Sequence, residues 1–360
     1  MGLKFKKIAI KIGSNVLTQK NGKLDIPRIS KLVNQIAILH QAGVDVILIS
    51  SGAVAAGKSA LKLKKELDSV SSRQLFSAVG QVKLMNHYHT LMTAHGIFCG
   101  QVLTAKENLG SRRHYLNQKN CISEMLTHKV IPIVNENDTI SVTELMFTDN
   151  DELSGLIATM MGMEALIILS NIDGIYNGDP ENPKSQVIRQ VAPNKSLSQY
   201  IQTNKSSFGR GGMLTKTAIA RKVADEGINV YIANGKKDNI LLDLLDEDQD
   251  IVCTQFIANR KEASNVKKWI AHSDGFAKGE IHINEGARIA LLGKKATSVL
   301  FVGITKIIGE FEKDDIIKII DDKGVQIGVG KARYDNVKAT QLIGKKGQRP
   351  LVHYDYLYLD

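Results

Sequence analysis

The sequence has little of what marks a secreted or membrane-bound protein. Its 360 residues include three cysteines, an odd number that are widely spaced along the chain: Cys99, Cys121 and Cys253. That usage fits a reducing compartment and shows no metal-binding pattern. No apolar run approaches the roughly 20 residues that cross a bilayer, and the basic N-terminus leads into a strand-like segment without a signal-peptide core. We therefore expect a cytoplasmic protein without membrane contact.

Several common functional motifs are absent too. N-myristoylation after Gly2 requires Ser or Thr at the position that Lys6 occupies. The small-residue stretch 50–57 follows a buried strand but matches neither G-x-G-x-x-G nor G-x-x-x-x-G-K-[ST]. It fits either a close approach of the backbone to a ligand or tight packing of a helix on the sheet. The nine histidines are scattered, and none pairs at a metal-ligand spacing.

The composition is that of a folded chain with an ample core. Apolar residues make up 43% of the sequence, and the length suggests two domains. The formal net charge of +10 permits anionic ligands such as nucleotides or RNA. Charge alone does not choose between these ligands, because many soluble enzymes are basic without binding nucleic acid.

Strand-like and helix-like segments alternate up to about residue 250. The patterns predict strands at 7–13, 44–49, 97–103, 131–134, 165–169 and 230–233, and helices at 26–41, 71–95, 112–128, 153–161, 217–226 and 239–245. Such alternation is typical of a parallel sheet with helices on both faces. The predicted fold class is α/β, a three-layer α/β/α sandwich with a mostly parallel central sheet.

The pattern changes after residue 250. A basic, helix-like stretch at 259–271 reads as a connector. It is followed by short alternating strands with glycine and lysine turns, predicted at 279–283, 298–302, 316–320 and 326–329. We predict a first domain at residues 1–250, a linker at 251–273 and a small β-rich domain at 274–352.

Two polar clusters lie close together near the middle of the first domain. The run Asn135-Glu-Asn-Asp138 follows a buried strand, and Asp149-Asn150-Asp151 opens an apolar helix. Ligands of open α/β sheets bind at the carboxyl ends of strands, and a helix start offers free N–H groups and a positive dipole end. Asp149 or Asn150 alone would also fit an ordinary N-cap. Together the clusters predict a site that accepts an anion.

Two lysines are candidates for phosphate binding. Lys11 lies inside an apolar strand that runs into Gly13-Ser14-Asn15. A buried ammonium group is costly unless it is paired, so Lys11 either reaches out to solvent or points at a phosphate. Lys216 ends the glycine-rich segment 208–216, directly before a predicted helix. A flexible loop with a lysine at a helix start suits phosphate, although glycine-rich loops are common.

These motifs, in this order and spacing, closely resemble the amino acid kinase family, and within it the branch that phosphorylates glutamate. The matching stretches are Ile10–Ser14, Ser51–Gly57, Val134–Asp138, Asp149–Ser154 and Gly211–Lys216. Residues from about 274 to 346 resemble the PUA domain, which is named for RNA-modifying enzymes. The resemblance covers nearly the whole chain and implies the amino acid kinase fold.

The resemblance implies ATP-dependent phosphorylation of the γ-carboxylate of L-glutamate, the first step of proline biosynthesis. Ser51, Gly52, Asp138 and Asn150 would bind glutamate, with Asp138 at its ammonium group. Catalysis would rest on Lys11, Lys216 and Asp151. Asp151 would orient the two lysines or a metal-bound water, and its alternative is a charge in the first turn of a helix. The ATP-binding set would comprise both lysines and Gly13, Ser170, Asn171, Arg210, Gly211, Gly212, Met213, Leu214 and Thr215.

Two positions depart from the family pattern. The family often has Asp at the position of Asn171 and Thr at the position of Arg210. The first change affects a nucleotide contact, and the second adds a cation near the phosphates. Mg²⁺ would accompany ATP without a dedicated protein cage, because it keeps several waters and uses phosphate oxygens.

The family also implies partners and regulation. Proline would compete with glutamate through the loop 139–148, and the chain would form a dimer or tetramer through its first domain. The PUA-like domain would contact RNA or another subunit, and a downstream glutamyl phosphate reductase is a further possible partner. Two other functions compete with the glutamate assignment. One is a related kinase that uses N-acetylglutamate, aspartate or carbamate, and the other is an RNA-binding protein without kinase activity.

Overall fold

The computed structural model describes residues 2–61, 67–106, 109, 112–140, 150–193, 213–259, 270, 277–293 and 297–359. Backbone contacts divide the chain into two units, which we describe separately. The first comprises Met1–Ala105 and Lys119–Glu262, and the second comprises Lys106–Gln118 and Ala263–Asp360. No described helix is both long and apolar enough to cross a bilayer.

The first unit is built on an eight-stranded sheet in the order β3-β4-β2-β1-β5-β7-β8-β6. Its strands are β1 (Lys7–Ile12), β2 (Asp45–Ser50), β3 (Cys99–Thr104), β4 (Ile131–Glu136), β5 (Ala165–Ser170), β6 (Gln190–Val191), β7 (Asn229–Asn234) and β8 (Thr254–Phe256). All neighbouring pairs are parallel except β7 and β8. This confirms the predicted, mostly parallel sheet. β8 belongs to this sheet although it lies within the stretch predicted as a linker, and the predicted domain boundaries stay predictions.

Helices follow most of these strands. They are α1 (Ser14–Leu17), α2 (Ile26–Gln41), α3 (Ala53–Ala60), α4 (Ser69–Thr93), α5 (Arg112–Thr127), α6 (Asn150–Met161), α7 (Met213–Asp225) and α8 (Ile240–Leu245). The apolar side chains of α2, α4 and α8 form one core with Ile8, Ile10 and Ile12 of β1. Since side chains alternate along a strand, Lys11 points to the opposite face of the sheet.

The second unit contains a five-stranded sheet in the order β10-β9-β11-β12-β13. The strands are β9 (Gly279–Ile283), β10 (Ile304–Gly309), β11 (Ile316–Ile320), β12 (Gln326–Lys331) and β13 (Leu357–Leu359), accompanied by helices α9 (Glu285–Leu292) and α10 (Asn336–Leu342). The β-rich character and the strands at 279–283 and 316–320 are confirmed. Neither helix was predicted.

The predicted strand at 298–302 is wrong. In this segment Val299 makes only an isolated bridge with Val352, and Phe301–Gly303 forms a short 3-10 turn. The N–H group of Gly303 donates to the carbonyl of Leu300, and the Phe301 side chain is buried in the core of this unit. A turn that buries Phe301 therefore replaces the extended chain, and the strand begins only at Ile304.

Helices α3 and α4 pack with their backbones in direct contact. A Cβ atom added to Gly57 would lie 1.9 Å from the carbonyl oxygen of Phe76, and one added to Gly80 would lie 1.8 Å from that of Ala53. The small residues of 53–57 therefore serve helix–helix packing at Gly57. This contact fixes α3, which begins after Gly52, against α4, whose side chains reach the site described below.

We expect Gly80→Ala to destabilise the protein by about 3 kcal/mol or more, because an added methyl group must push two backbones apart. Chemical denaturation of the purified variant would measure the change. Gly286→Ala is the control, since Gly286 lies in a helix of the second unit and its added Cβ would have no atom closer than 3.5 Å. Equal stability of the two variants would contradict the packing account.

Candidate active site

The polar residues predicted as a site lie at the carboxyl ends of adjacent parallel strands. β1 is flanked by β2 on one side and by β5 on the other, and β2 pairs with β4. Helix α6 begins at Asn150, so the prediction that this segment opens a helix is confirmed. Residues 153–160 of α6 are all buried, which is typical of a helix enclosed by other elements.

Three charged side chains meet at the end of β1. Oδ1 of Asp151 lies 2.5 Å from Nζ of Lys11, and its Oδ2 lies 2.9 Å from Nζ of Lys216. The Asp151 side chain is fully buried, and the lysine side chains keep only 6% and 12% of their exposure. Because the three residues come from β1, α6 and α7, only the folded chain brings them together. They are the three residues predicted as catalytic.

The charge state of Asp151 follows from this arrangement. Burial alone would raise the pKa of its carboxyl group, but the ammonium groups of Lys11 and Lys216 outweigh burial and hold the pKa below its ordinary value. Asp151 is therefore ionised at neutral pH and accepts from both lysines. The contacts favour lysine orientation over a charge that only supports the helix start.

Lys216 was predicted at the end of a flexible loop, but it lies within a helix. α7 begins at Met213, so Met213, Leu214, Thr215 and Lys216 form its first turn. Met213 follows Gly212 directly, so the glycine-rich part of the segment ends where the helix begins. Within the helix, the hydroxyl of Thr217 donates to the carbonyl of Met213 at 2.8 Å. A lysine in a regular helix has a more defined direction than one in a flexible loop.

The amide of Asn150 joins the ends of β2 and β4. Its Nδ2 donates to Oγ of Ser51 at 3.0 Å and to Oδ1 of Asn135 at 2.9 Å. Nδ2 of Asn135 donates in turn to Oε1 of Gln81 on α4 at 3.0 Å. Gly52, with a φ of +106°, makes the turn from β2 into α3 that only glycine adopts easily. Ser51, Gly52 and Asn150 thus form one contiguous surface.

Asp138 is bound by an arginine that the sequence analysis did not single out. Nε of Arg73 donates to Oδ1 of Asp138 at 2.6 Å, and Nη2 of Arg73 donates to Oε2 of Glu136 at 2.7 Å. The side chains of Glu136 and Asp138 are nearly buried, at 3% and 8% exposure, while that of Arg73 keeps 25%. No motif indicated Arg73, because it lies on α4, far from both acids in the sequence.

The described residues predicted to bind ATP lie at the same edge of the sheet. A Cβ added to Gly13 would lie 3.7 Å from Nζ of Lys11, so the Gly13 backbone is next to that ammonium group. Ser170 ends β5 and is nearly buried, whereas Asn171 is exposed. Asp149, Arg210, Gly211 and Gly212 lie outside the described residues, as does most of the loop 139–148.

A further polar cluster lies next to Ser170 and was not predicted. Asp173 accepts from Nδ2 of Asn234, the last residue of β7, at 3.0 Å, and its Oδ1 lies 2.9 Å from Nζ of Lys237. Strand β7 pairs with β5, which is why the loop after one strand reaches the end of the other.

No metal cage is evident in the part of the chain that the structure describes. There, no three His, Cys, Asp or Glu side chains are placed to hold a metal ion. The site still suits Mg²⁺ that arrives with a nucleotide, because such an ion is held mainly by phosphate oxygens and water. Two lysines at the end of a parallel sheet suit the phosphates themselves.

Comparison with known proteins identifies the family. Residues 6–234 match the model of the amino acid kinase family, and residues 279–354 match that of the PUA domain. The glutamate 5-kinase of Bacteroides thetaiotaomicron is 65% identical over 360 residues, 100% of both chains. That of Chlorobaculum tepidum is 47% identical over 357 residues, 99% of this chain and 98% of the relative. A solved isopentenyl phosphate kinase, 16% identical, shares the fold with a TM-score of 0.50 over 69% of this chain and 99% of its own.

The chain therefore belongs to the amino acid kinase family, and it is a kinase with a C-terminal PUA domain. Within that family it belongs to the glutamate 5-kinases, since the similarity to them extends over the full length.

Proposed function

We propose that this kinase transfers the γ-phosphoryl group of ATP to the γ-carboxylate of L-glutamate. The products are L-glutamyl 5-phosphate and ADP, and the reaction is the first step of proline biosynthesis. The observation that carries the proposal is the pair Lys11 and Lys216 joined by Asp151, beside the surface of Ser51, Gly52 and Asn150. The glutamate 5-kinase relatives support the choice of substrate.

The reaction needs charge neutralisation more than proton transfer. A carboxylate is ionised at neutral pH, so its attack on phosphorus requires no general base. The barrier is repulsion between the carboxylate and the triphosphate, which positioning and nearby cations lower. Lys11 from β1 and Lys216 from α7 supply two cations from opposite sides of Asp151. Mg²⁺, carried on the phosphate oxygens, supplies further positive charge.

Asp151 acts in this proposal by orienting the two lysines. Each of its carboxylate oxygens contacts one ammonium group, so a single anion fixes both groups. Gly13, Ser170 and Asn171, with Met213–Thr215 of α7, bind ATP along the same sheet edge. Arg210, Gly211 and Gly212 complete that set as predictions from the family resemblance.

The other end of glutamate is bound at the ends of β2 and β4. The Ser51 hydroxyl and the backbone around Gly52 bind the substrate carboxylates, Asn150 contacts the substrate between them, and Asp138 binds the α-ammonium group.

We expect Asp138→Ala to raise KM for glutamate by about tenfold or more, the effect of losing one charged hydrogen bond, with little change in KM for ATP. Steady-state kinetics with each substrate varied in turn would measure this split. Equal increases in both KM values would argue against an ammonium contact.

Trapping of the acyl phosphate tests the proposed function. The protein is incubated with ATP, Mg²⁺ and hydroxylamine, and hydroxamate is measured with L-glutamate, N-acetylglutamate or aspartate. We expect hydroxamate with L-glutamate alone. Product with only one of the other acids would keep the kinase and overturn the assignments of Ser51, Asp138 and Asn150. An absence of product with every acid would contradict the proposal itself.

The proposal extends to regulation and assembly through the family resemblance. Proline inhibits by competing with glutamate, the protein acts in the cytoplasm as a dimer or tetramer, and a glutamyl phosphate reductase consumes the labile product. The match to a PUA domain supports an accessory contact with RNA. A gel shift that is lost when the residues after Glu262, where the first unit ends, are removed would locate this contact.

A further inference from the structure

Side chains of helix α4 contact four residues at the carboxyl end of β4 and just beyond it: Asn135, Glu136, Asp138 and Thr139. Gln81 accepts from Asn135, Arg73 binds Glu136 and Asp138, and Nε2 of Gln74 donates to the carbonyl of Thr139 at 2.9 Å. Arg73 and Gln81 have an i, i+8 spacing, which places both on one face of the helix. One side of α4 therefore aligns the polar end of β4.

Of these three side chains of α4, that of Arg73 is the charged one, and it contacts two carboxylates. Two carboxylates, Glu136 and Asp138, lie two residues apart and nearly buried, and like charges in such a place repel. The guanidinium lies between them, with Nη2 2.5 Å from Oδ1 of Asp138 in addition to its contact with Glu136. The guanidinium of Arg73 therefore contacts both carboxylates and reduces the repulsion between them.

The geometry is specific to arginine. Arg73 contacts Asp138 through both Nε and Nη2, and Nη2 also reaches Glu136. A lysine has a single nitrogen and cannot reproduce this planar, forked arrangement, although it would keep the charge. The two features of Arg73, its charge and its fork, can therefore be separated by substitution.

We propose that Arg73 is a positioning residue for the amino acid substrate, because its contacts with Glu136 and Asp138 hold Asp138 in the orientation that binds the α-ammonium group. This inference rests on the proposed function and adds a determinant of substrate affinity to it. Arg73 acts through Asp138 and not on the reacting atoms, so it affects the binding of glutamate more than the rate of transfer.

The first test replaces Arg73 with glutamine. We expect KM for glutamate to rise about 10- to 100-fold, as for the loss of hydrogen bonds to a charged group, while KM for ATP changes less than about threefold. Arg73→Lys should lie between wild type and Arg73→Gln, because it restores charge without the fork. An unchanged KM for glutamate in Arg73→Gln, or equal increases for both substrates, would overturn the proposal.

A matched control and a second background make the test specific. Arg189→Gln removes another ion-paired arginine, which binds Asp250 near the opposite edge of the sheet, and should leave both KM values unchanged. In an Asp138→Ala background, Arg73→Gln should add less than about threefold to KM for glutamate, since the partner through which it acts is gone. Full additivity would indicate a purely structural role.

Failure of the inference and failure of the proposed function are distinguishable. If wild-type protein forms no hydroxamate with glutamate, the proposed function fails before Arg73 is considered. If wild-type protein is active and the KM values of the Arg73 variants are normal, only the inference fails. Thermal unfolding of each variant reports whether it folds, and Arg73→Lys provides the measurement if Arg73→Gln does not fold.

Discussion

Replacing Lys216 with alanine should lower kcat about 10³-fold, the scale on which loss of one electrostatic group acts on a transition state. The fall should appear in kcat more than in KM for glutamate, because Lys216, which contacts Asp151, is proposed to act on the transferred phosphoryl group and not on the bound glutamate. Lys11→Ala should behave in the same way, since Lys11 occupies the equivalent position at the other oxygen of Asp151. Steady-state hydroxamate formation measures both variants.

The control for these substitutions is Lys222→Ala. Lys222 lies in the last turn of the same helix as Lys216, away from its first turn. Its loss should leave kcat and both KM values within about twofold of wild type. Turnover near the wild-type level in either Lys11→Ala or Lys216→Ala, with the variant folded, would remove these lysines from the catalytic role.

Asp151→Asn should reduce kcat by about two orders of magnitude at neutral pH, again on the scale of one oriented electrostatic group. The substitution keeps the shape of the side chain but removes the anion between two nearly buried ammonium groups. The two ammonium groups then lose the carboxylate that each of them contacts, so neither is held in place by it.

The pH profile tests whether the Asp151 anion itself is needed. In the wild type the neighbouring ammonium groups hold the pKa of Asp151 below its ordinary value, so its carboxyl group stays ionised between about pH 6 and 9 and contributes no pH dependence there. The anion that the substitution removes is therefore present throughout this range, and kcat of Asp151→Asn should stay below that of the wild type by a similar factor at every pH in it. A variant whose kcat equals that of the wild type at any pH in this range would contradict a role of the anion in orienting both lysines.

The sequence predicts the parts of this molecule that depend on local pattern. The helical period of Ile29, Leu32, Val33 and Ile36 places α2 at Ile26–Gln41, as the structure has it. Lys11 stood out because a lysine within an apolar strand needs a partner, and the acidic start of α6 stood out beside the polar end of β4. The pairing of Lys11 with Asp151 follows from both, once the parallel sheet is known.

The contacts between distant segments were not predictable. Arg73 contributes to no motif, and only the packing of α4 brings it to Glu136 and Asp138. The cluster of Asp173 with Asn234 and Lys237 forms because β5 and β7 are neighbours in space but not in sequence. The segment 298–302 alternates as a strand would, yet burial of Phe301 in the core of the second unit selects a turn. In each case contacts between segments that are distant in the sequence determine the structure, and the local sequence pattern does not reveal them.

The most direct test of the central chemistry follows the oxygen atoms of glutamate. L-Glutamate labelled with ¹⁸O in its γ-carboxylate is incubated with ATP, Mg²⁺ and the protein, and the product is trapped with hydroxylamine. Hydroxylamine attacks the acyl carbon, so the released phosphate keeps the oxygen through which the carboxylate attacked phosphorus. We predict one ¹⁸O atom in each phosphate released with hydroxamate, measured by mass spectrometry or by the ³¹P isotope shift. Unlabelled phosphate would show that water, and not the γ-carboxylate, accepts the phosphoryl group.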